Sequence, residues 1–336
     1  MHYVGIDVSK RSLDVCLLAE GSKGSRKTKT LSNGQDSAQN LAKWLILQKC
    51  ELSQTHVIME ATGIYHEYLA CGLHQMGILT SVINPCRSRE FAKAMGIFTK
   101  TDAVDAYVLA FYGCLKQPEA WTPPEEEVRK LRALLQHRDS LLNDKLRIDN
   151  RLNTLKSTEA VQEVMDSLSL VNQYLKSEVA RIERLISSHI AQHPGLKRDL
   201  KLLMSVDGIG KQIGWNMLAV LRGNNFKSAE QLAAYLGVVP VERRSGTSVH
   251  GRARLSKIGS SNIRAKLYMG ALTAISKNSH IKALYERLLA KGKMKMSALG
   301  AAMRKLVHLC YGVLHTQQPY DEKYKAKIIC ISRDLI

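Results

Sequence analysis

The chain has 336 residues, enough for two or three domains with cores of their own, and its 49 Lys and Arg against 30 Asp and Glu leave a formal net charge of +19. Seven scattered cysteines with no CxxC pair and no nearby His pattern exclude a zinc or disulfide framework and fit buried thiols of a reducing cytoplasm. No apolar run approaches a membrane span and MHYVGIDVSK reads as no signal peptide, so the charge points to a polyanionic partner in the cytoplasm, nucleic acid first.

From the N-terminus, HYVGIDV and SLDVCLLA read as strands around the polar turn Ser9 to Arg11, and KTKTLSN as a third, an antiparallel start. AQNLAKWLILQ reads as an amphipathic helix, HVIMEA as a buried strand, YHEYLACGLHQMG as a helix ended by Gly77, and ILTSVINP as another strand. Three early strands followed by alternating helices and strands imply a mixed α/β sheet over residues 1–122.

After WTPPEEE the composition changes. Pro123, Pro124 and the acids Glu125 to Glu127 announce a helix, and Leu134, Leu141, Ile148 and Leu155 recur at intervals of seven, accompanied by Leu131 and Leu152. A second helix carries Val164, Leu168, Val171, Leu175, Ile182 and Leu185, with a break near Ser157 to Glu159. Residues 123–194 are therefore an intramolecular helical hairpin or a dimerising coiled coil; Arg138 and Lys145, which fall on the first seam, weaken an extended coiled coil.

Residues 195–320 read as helical but punctuated by glycine, followed by a frayed tail at 321–336. VDGIGKQIG has the form of a helix-hairpin-helix turn, in which Gly208 and Gly210 admit a phosphate to the next helix N-terminus and Lys211 adds charge. A glycine-bounded turn between packed helices gives the same text. Basic residues crowd at Arg243, Arg244, Arg252, Arg254, Lys257, Arg264 and Lys266, with a second group from Lys291 to Lys295, which suits a phosphate backbone.

TKTDAVDAYVLA raises a separate problem. Asp105 follows Asp102 by three residues at a helix start, so both carboxylates share a face one turn apart. Either Thr101 or Asp102 caps the helix and Asp105 favours its positive end, or the pair faces a cation. Asp7 inside the apolar YVGIDVS and Glu60 at the end of HVIMEATG sit where a charge is costly unless paired, though each also reads as a strand-end residue or cap. Four carboxylates from two strand ends and a following helix can converge, the arrangement of two-metal phosphoryl transfer. Oxygen donors without Cys or His favour Mg²⁺, with Mn²⁺ as a substitute, over zinc.

GIDVSK, EATGIY and KTDAVDA together resemble the RuvC-like, RNase H-fold domain of the DEDD transposases related to the Piv DNA invertase, insertion-sequence family one-hundred-and-ten. The resemblance continues through SVINP, and GIG, YLGVVP, RRSGTSVHGRARLSK, LYM and GAAMRKL are similar to that family's transposase domain, so it covers nearly the whole chain. It implies metal binding by Asp7, Glu60, Asp102 and Asp105 and a nucleophilic role for Ser245, which attacks a DNA phosphate and holds one strand end as a phosphoserine. Arg243, Arg244 and Arg252 then orient that phosphate, while His250 stands where the pattern leads one to expect arginine. The resemblance further implies a structured guide (bridge) RNA pairing with donor and target DNA, and a homodimer that assembles into a homotetramer, the acids of one protomer meeting the serine of another. The expectation is a Mg²⁺-dependent, RNA-guided DNA recombinase of a bacterial insertion element. Its rivals are a RuvC-type junction nuclease using metal-bound water and a non-catalytic nucleic-acid-binding protein; an actin-like ATPase lacks a second phosphate loop.

Overall fold

A computed structural model describes residues 1–19, 25–61, 65–157, 161–242, 244–245, 249–250 and 254–322. The chain forms two compact units, Met1–Pro123 and Pro124–Ile336.

In the first unit, strands β1 (His2–Val8), β2 (Ser12–Leu18), β3 (Arg26–Ser32), β4 (Thr55–Glu60) and β5 (Leu79–Ile83) form one sheet in the order β3-β2-β1-β4-β5. β1, β2 and β3 are antiparallel neighbours, and β4 and β5 run parallel to β1. That order and those directions are RNase H-like. Side chains alternate across each strand, so Val4, Ile6, Val8, Val57 and Met59 pack on helices α1 (Ser37–Leu47) and α2 (Glu67–Gln75) through Leu41, Leu45, Leu69 and Leu73. The opposite set, Tyr3, Cys16, Leu18 and Ile58, packs on helix α4 (Asp102–Lys116) through Ala106, Leu109 and Ala110. Each fully buried aliphatic or aromatic side chain contributes about 1.5–3 kcal/mol relative to exposure, which makes these two layers the main support of the unit.

Helix α3 (Pro85–Ala94) is an element the strand reading of ILTSVINP did not anticipate. It carries no apolar stripe, but its start is well signalled: Asn84 caps it by accepting from the Cys86 amide at 2.8 Å, and Pro85 occupies the first turn. Phe91 then meets Tyr112 of α4 edge to face, with ring centroids 5.2 Å apart.

The second unit is helical: α5 (Glu126–Leu155), α6 (Gln162–Gln192), α7 (Pro194–Met204), α8 (Lys211–Arg222), α9 (Ala229–Tyr235), α10 (Ser261–Lys277), α11 (Ser279–Ala290) and α12 (Lys295–Thr316). Between α9 and α10 run two short strand pairs, β6 (Pro240–Val241) with β9 (Arg254–Leu255) and β7 (Arg244–Ser245) with β8 (Val249–His250). α5 and α6 form an antiparallel hairpin within the chain. His189 Nε2 lies 2.8 Å from the Glu127 carbonyl near one end, and Asn172 donates to Asp149 at 2.7 Å near the other.

The core-facing side of α5 takes in Leu131, Leu134 and Leu141 of the sequence reading but is wider than a seven-residue stripe. The buried residues of α5 are Val128, Leu131, Leu135 and Arg138, because this helix end packs on the C-terminal helices as well as on α6. Within the hairpin Arg138 is buried against Glu183 of α6 at 2.7 Å. Val128, Leu131, Ile182 and Ile186 share one core with Leu203, Trp215, Leu267 and Leu306. The proposed tail beyond Tyr320 lies, from residue 323 onward, outside the described residues. No helix among the described residues is long and apolar enough to cross a membrane.

Candidate active site

The acids reach one place because of strand register. Asp7 follows Tyr3 and Gly5 on the α4 face of β1, and Glu60 follows Ile58 on the same face of β4. β1 and β4 are parallel, with Gly5 opposite Ile58, so both acids sit at the same strand end. Glycine at position 5 lets α4 lie directly on β1: a Cβ there would stand 2.0 Å from the Ala106 carbonyl oxygen and 2.2 Å from the Ala110 amide nitrogen. Close seating brings the first turn of α4, with Asp102 and Asp105, to Asp7.

Thr101, and not Asp102, caps α4, its hydroxyl accepting from the Val104 amide at 3.3 Å. Both aspartates are therefore free of capping duty. Asp7 is pushed up to about 6, first by burial and then by the charges of Asp102, Asp105, Glu60 and Asp14. Asp105 is also raised by burial and by Asp102, while Lys100 and Arg89 pull it back down. Glu60 Oε1 accepts a short hydrogen bond from the Ser88 hydroxyl, which fixes that carboxylate from α3.

Four contributors escaped the sequence reading. Asp14 stands directly opposite Asp7 in the β1–β2 ladder, a like-charge pair that destabilises a sheet unless something positive intervenes. Its signal was available, an acid inside the apolar SLDVCLL; it also accepts from Thr30 at 2.7 Å. Ser88 and Arg89 were missed because α3 itself was not anticipated, whereas Lys100 stood in view beside the pair in KTDAVDA.

The donor set suits a hard divalent cation. It is all carboxylate, without thiol or imidazole, and its mutual repulsion is the property that a bound cation reverses. Among the described residues no three His, Cys, Asp or Glu side chains already stand close enough to enclose an ion. The acids thus share a field rather than a finished coordination shell.

The remaining sequence candidates lie on the second unit. Ser245 is in β7, its backbone paired with Val249, as Arg244 pairs with His250; the side chains of these four, and Arg243 and Arg252 altogether, lie outside the described residues. Arg254 and Lys257 are exposed. Arg264 instead turns inward, its Nη1 donating to the Gly259 carbonyl. Gly208 has φ +97°, and a Cβ there would stand 2.6 Å from the Gly270 carbonyl oxygen, so packing on α10 already accounts for this glycine. Gly210 opens to space at the start of α8, and Lys211 lies 5.0 Å over the Trp215 ring.

A model described as Transposase, for the DEDD elements of IS110, matches residues 4–159, and one described as Transposase IS116/IS110/IS902 family matches residues 200–286. The pilin gene-inverting protein of Moraxella bovis is 31% identical over 324 residues, which cover 96% of this chain and 98% of that protein. The transposase for insertion sequence element IS1328 of Yersinia enterocolitica is 25% identical, over 64% of this chain and 71% of its own. Among solved structures, RuvC of Thermus thermophilus is similar over 36% of this chain and 100% of its own, with 14% identity and a TM-score of 0.27.

Proposed function

The chain belongs to the IS110 transposase family and is a DNA transposase or recombinase; from that premise we propose an RNA-guided enzyme that cuts and exchanges DNA strands through a covalent phosphoserine. The observation that carries the reading is the gathering of Asp7, Glu60, Asp102 and Asp105 on one sheet face, with Asp7 pushed up to about 6.

Those four carboxylates would hold divalent cations, Mg²⁺ or Mn²⁺ in its place, which when bound neutralise charge on the reacting phosphate. Ser88 holds Glu60 in place from α3, and Arg89 and Lys100 favour the ionised form of Asp105. The Ser245 hydroxyl attacks a DNA phosphorus: its Oγ–P bond forms as a backbone P–O bond breaks, and the departing deoxyribose oxygen takes up a proton. The bond energy stays in the phosphoserine, so a second strand's hydroxyl reverses the step without an external energy source. Arg243, Arg244 and Arg252 orient the phosphate. Arg254, Lys257, Lys211 and the Gly208–Gly210 turn add backbone contacts, with Arg264 positioning its own loop.

Donor and target DNA are the substrates. Sequence choice comes from a structured guide RNA, in keeping with a net charge of +19. A homodimer assembling into a homotetramer, working in the cytoplasm, brings the acids of one protomer to the serine of another. The outer end of the α5–α6 hairpin supports that assembly, since Leu146, Leu170 and Tyr174 are exposed there. In domain terms, residues 1–122 carry the acids, 123–194 the assembly helices and 195–320 the serine. Insertion, excision and the inversion for which the Moraxella relative is named share this chemistry.

The test is a denaturing gel of end-labelled DNA carrying the element's ends, incubated with protein, Mg²⁺ and RNA transcribed from the element's flank. A protease-sensitive, slow-migrating adduct that disappears in Ser245→Ala is expected. Free nicked ends in equal yield from both proteins would leave a nuclease that uses water.

A further inference from the structure

Phe98 is the most exposed large apolar side chain among the described residues, at 83%. It stands between α3 and α4, four residues before Asp102. The connection is held at both ends. On the α3 side Gly96 turns the chain with φ +70° and the Ile97 amide donates to the Ala92 carbonyl at 2.9 Å. On the α4 side the Thr101 hydroxyl caps the helix. The two helices are themselves pinned together by Phe91 against Tyr112. Phe98 is therefore presented at the end of α4 that carries Asp102 and Asp105.

Its surroundings select a partner. Arg87, Arg89, Lys93 and Lys100 are exposed in the same segment, Glu90 being the one acid among residues 85–101, and it pairs with Lys93 at 3.2 Å. A protein partner covering the ring would have to strip water from this array of cations. A nucleic acid offers phosphates to the cations and a flat π face to the ring.

We propose that Phe98 touches the substrate, stacking on an unpaired nucleobase beside the phosphate that the acidic cluster handles. This rests on the functional reading above and adds a substrate contact to it. Stacking needs a ring, so tryptophan serves and leucine, which keeps the apolar character, does not.

The probe is a synthetic four-way DNA junction whose crossover bases are replaced one at a time by 4-thiothymidine, used with the full-length protein. Irradiation should crosslink one crossover position to the peptide containing Phe98. Phe98→Ala and Phe98→Leu should both weaken junction binding about tenfold, and Phe98→Trp should restore it. The inference is overturned by a crosslink that maps elsewhere, by a leucine variant that binds as tightly as wild type, or by an alanine variant that binds normally but changes the oligomeric state on size-exclusion chromatography. If wild type neither binds the junction nor cuts DNA in Mg²⁺, the functional reading fails and the inference with it. If wild type does both and Phe98→Ala matches it, the inference alone fails.

Discussion

Each unit of the chain holds a cluster of charge, and the two are assembled in opposite ways. In the second unit Arg138, with a side chain 2% exposed, donates to Glu183 and to Asp139, and Asp139 in turn receives Lys266 at 2.9 Å and Asn262 at 2.6 Å. Every charge there has an opposite neighbour. On the α4 face of the first unit Asp7 is half-buried and confronts Asp102, Asp105, Glu60 and Asp14, and burial together with those charges pushes its carboxyl up to about 6. Asp105 is also raised, though Lys100 and Arg89 draw it back down. A paired cluster spends its electrostatics on joining α5, α6 and α10; an opposed one keeps a field directed outward, available to a cation and the phosphate it binds.

The largest test of that contrast is Asp102→Asn. Cleavage should fall by about a thousand-fold, the equivalent of several kcal/mol of charge stabilisation, while the melting temperature stays the same or rises. A variant that unfolds instead would make Asp102 structural and break the comparison. On the other side, Arg138→Ala leaves Glu183 and Asp139 without their partner and should cost about 3 kcal/mol in urea unfolding. Below its melting range it should still cleave, because the damage is confined to the paired cluster. Gly5→Ala sits between the two. The added methyl meets α4 backbone, so it should cost about 2 kcal/mol and also lower cleavage, since displacing α4 carries Asp102 and Asp105 away from Asp7.

Much of the first unit was legible because its signals are local. Alternation in HYVGIDV and HVIMEA sets strand and face together, and the same parity that buries Tyr3 and Ile58 puts Asp7 and Glu60 beside α4. Helix α3 was not legible by periodicity, because PCRSREFAKA buries only Ser88 and has no apolar stripe to read. With it went the Ser88 hydrogen bond to Glu60. The α5 seam was legible in part: Leu131 is buried and Leu134 and Leu141 pack against the same core, but the burial of Val128, Leu135 and Arg138 was not foreseen. A repeat of seven describes a helix with one neighbour, whereas α5 packs on α6 along its length and on the C-terminal helices at one end, which turns Arg138 inward. Gly208 shows the limit of a glycine signal: φ +97° and contact with Gly270 explain it without any phosphate.

Asp7→Asn makes the smallest change and tests the opposed cluster most directly. With its carboxyl raised to about 6 in the folded protein against the ordinary value near 3.8, the native state binds more protons than the unfolded chain between those two values. Stability must then fall as pH rises from about 4 through 6, because the native carboxyl is forced to ionise where it is half-buried and among like charges. A rise of that size corresponds to at most about 3 kcal/mol, and solvent screening at a half-buried group brings the expected effect to about 1 kcal/mol. In chelator, the asparagine variant should therefore match wild type near pH 4 and melt a few degrees higher at pH 7. Adding Mg²⁺ at pH 7 should stabilise wild type and close the gap, since a cation bound only by the native state opposes the same repulsion. Two melting curves that stay superimposed from pH 4 to pH 8 would show that neither burial nor the neighbouring carboxylates raise Asp7.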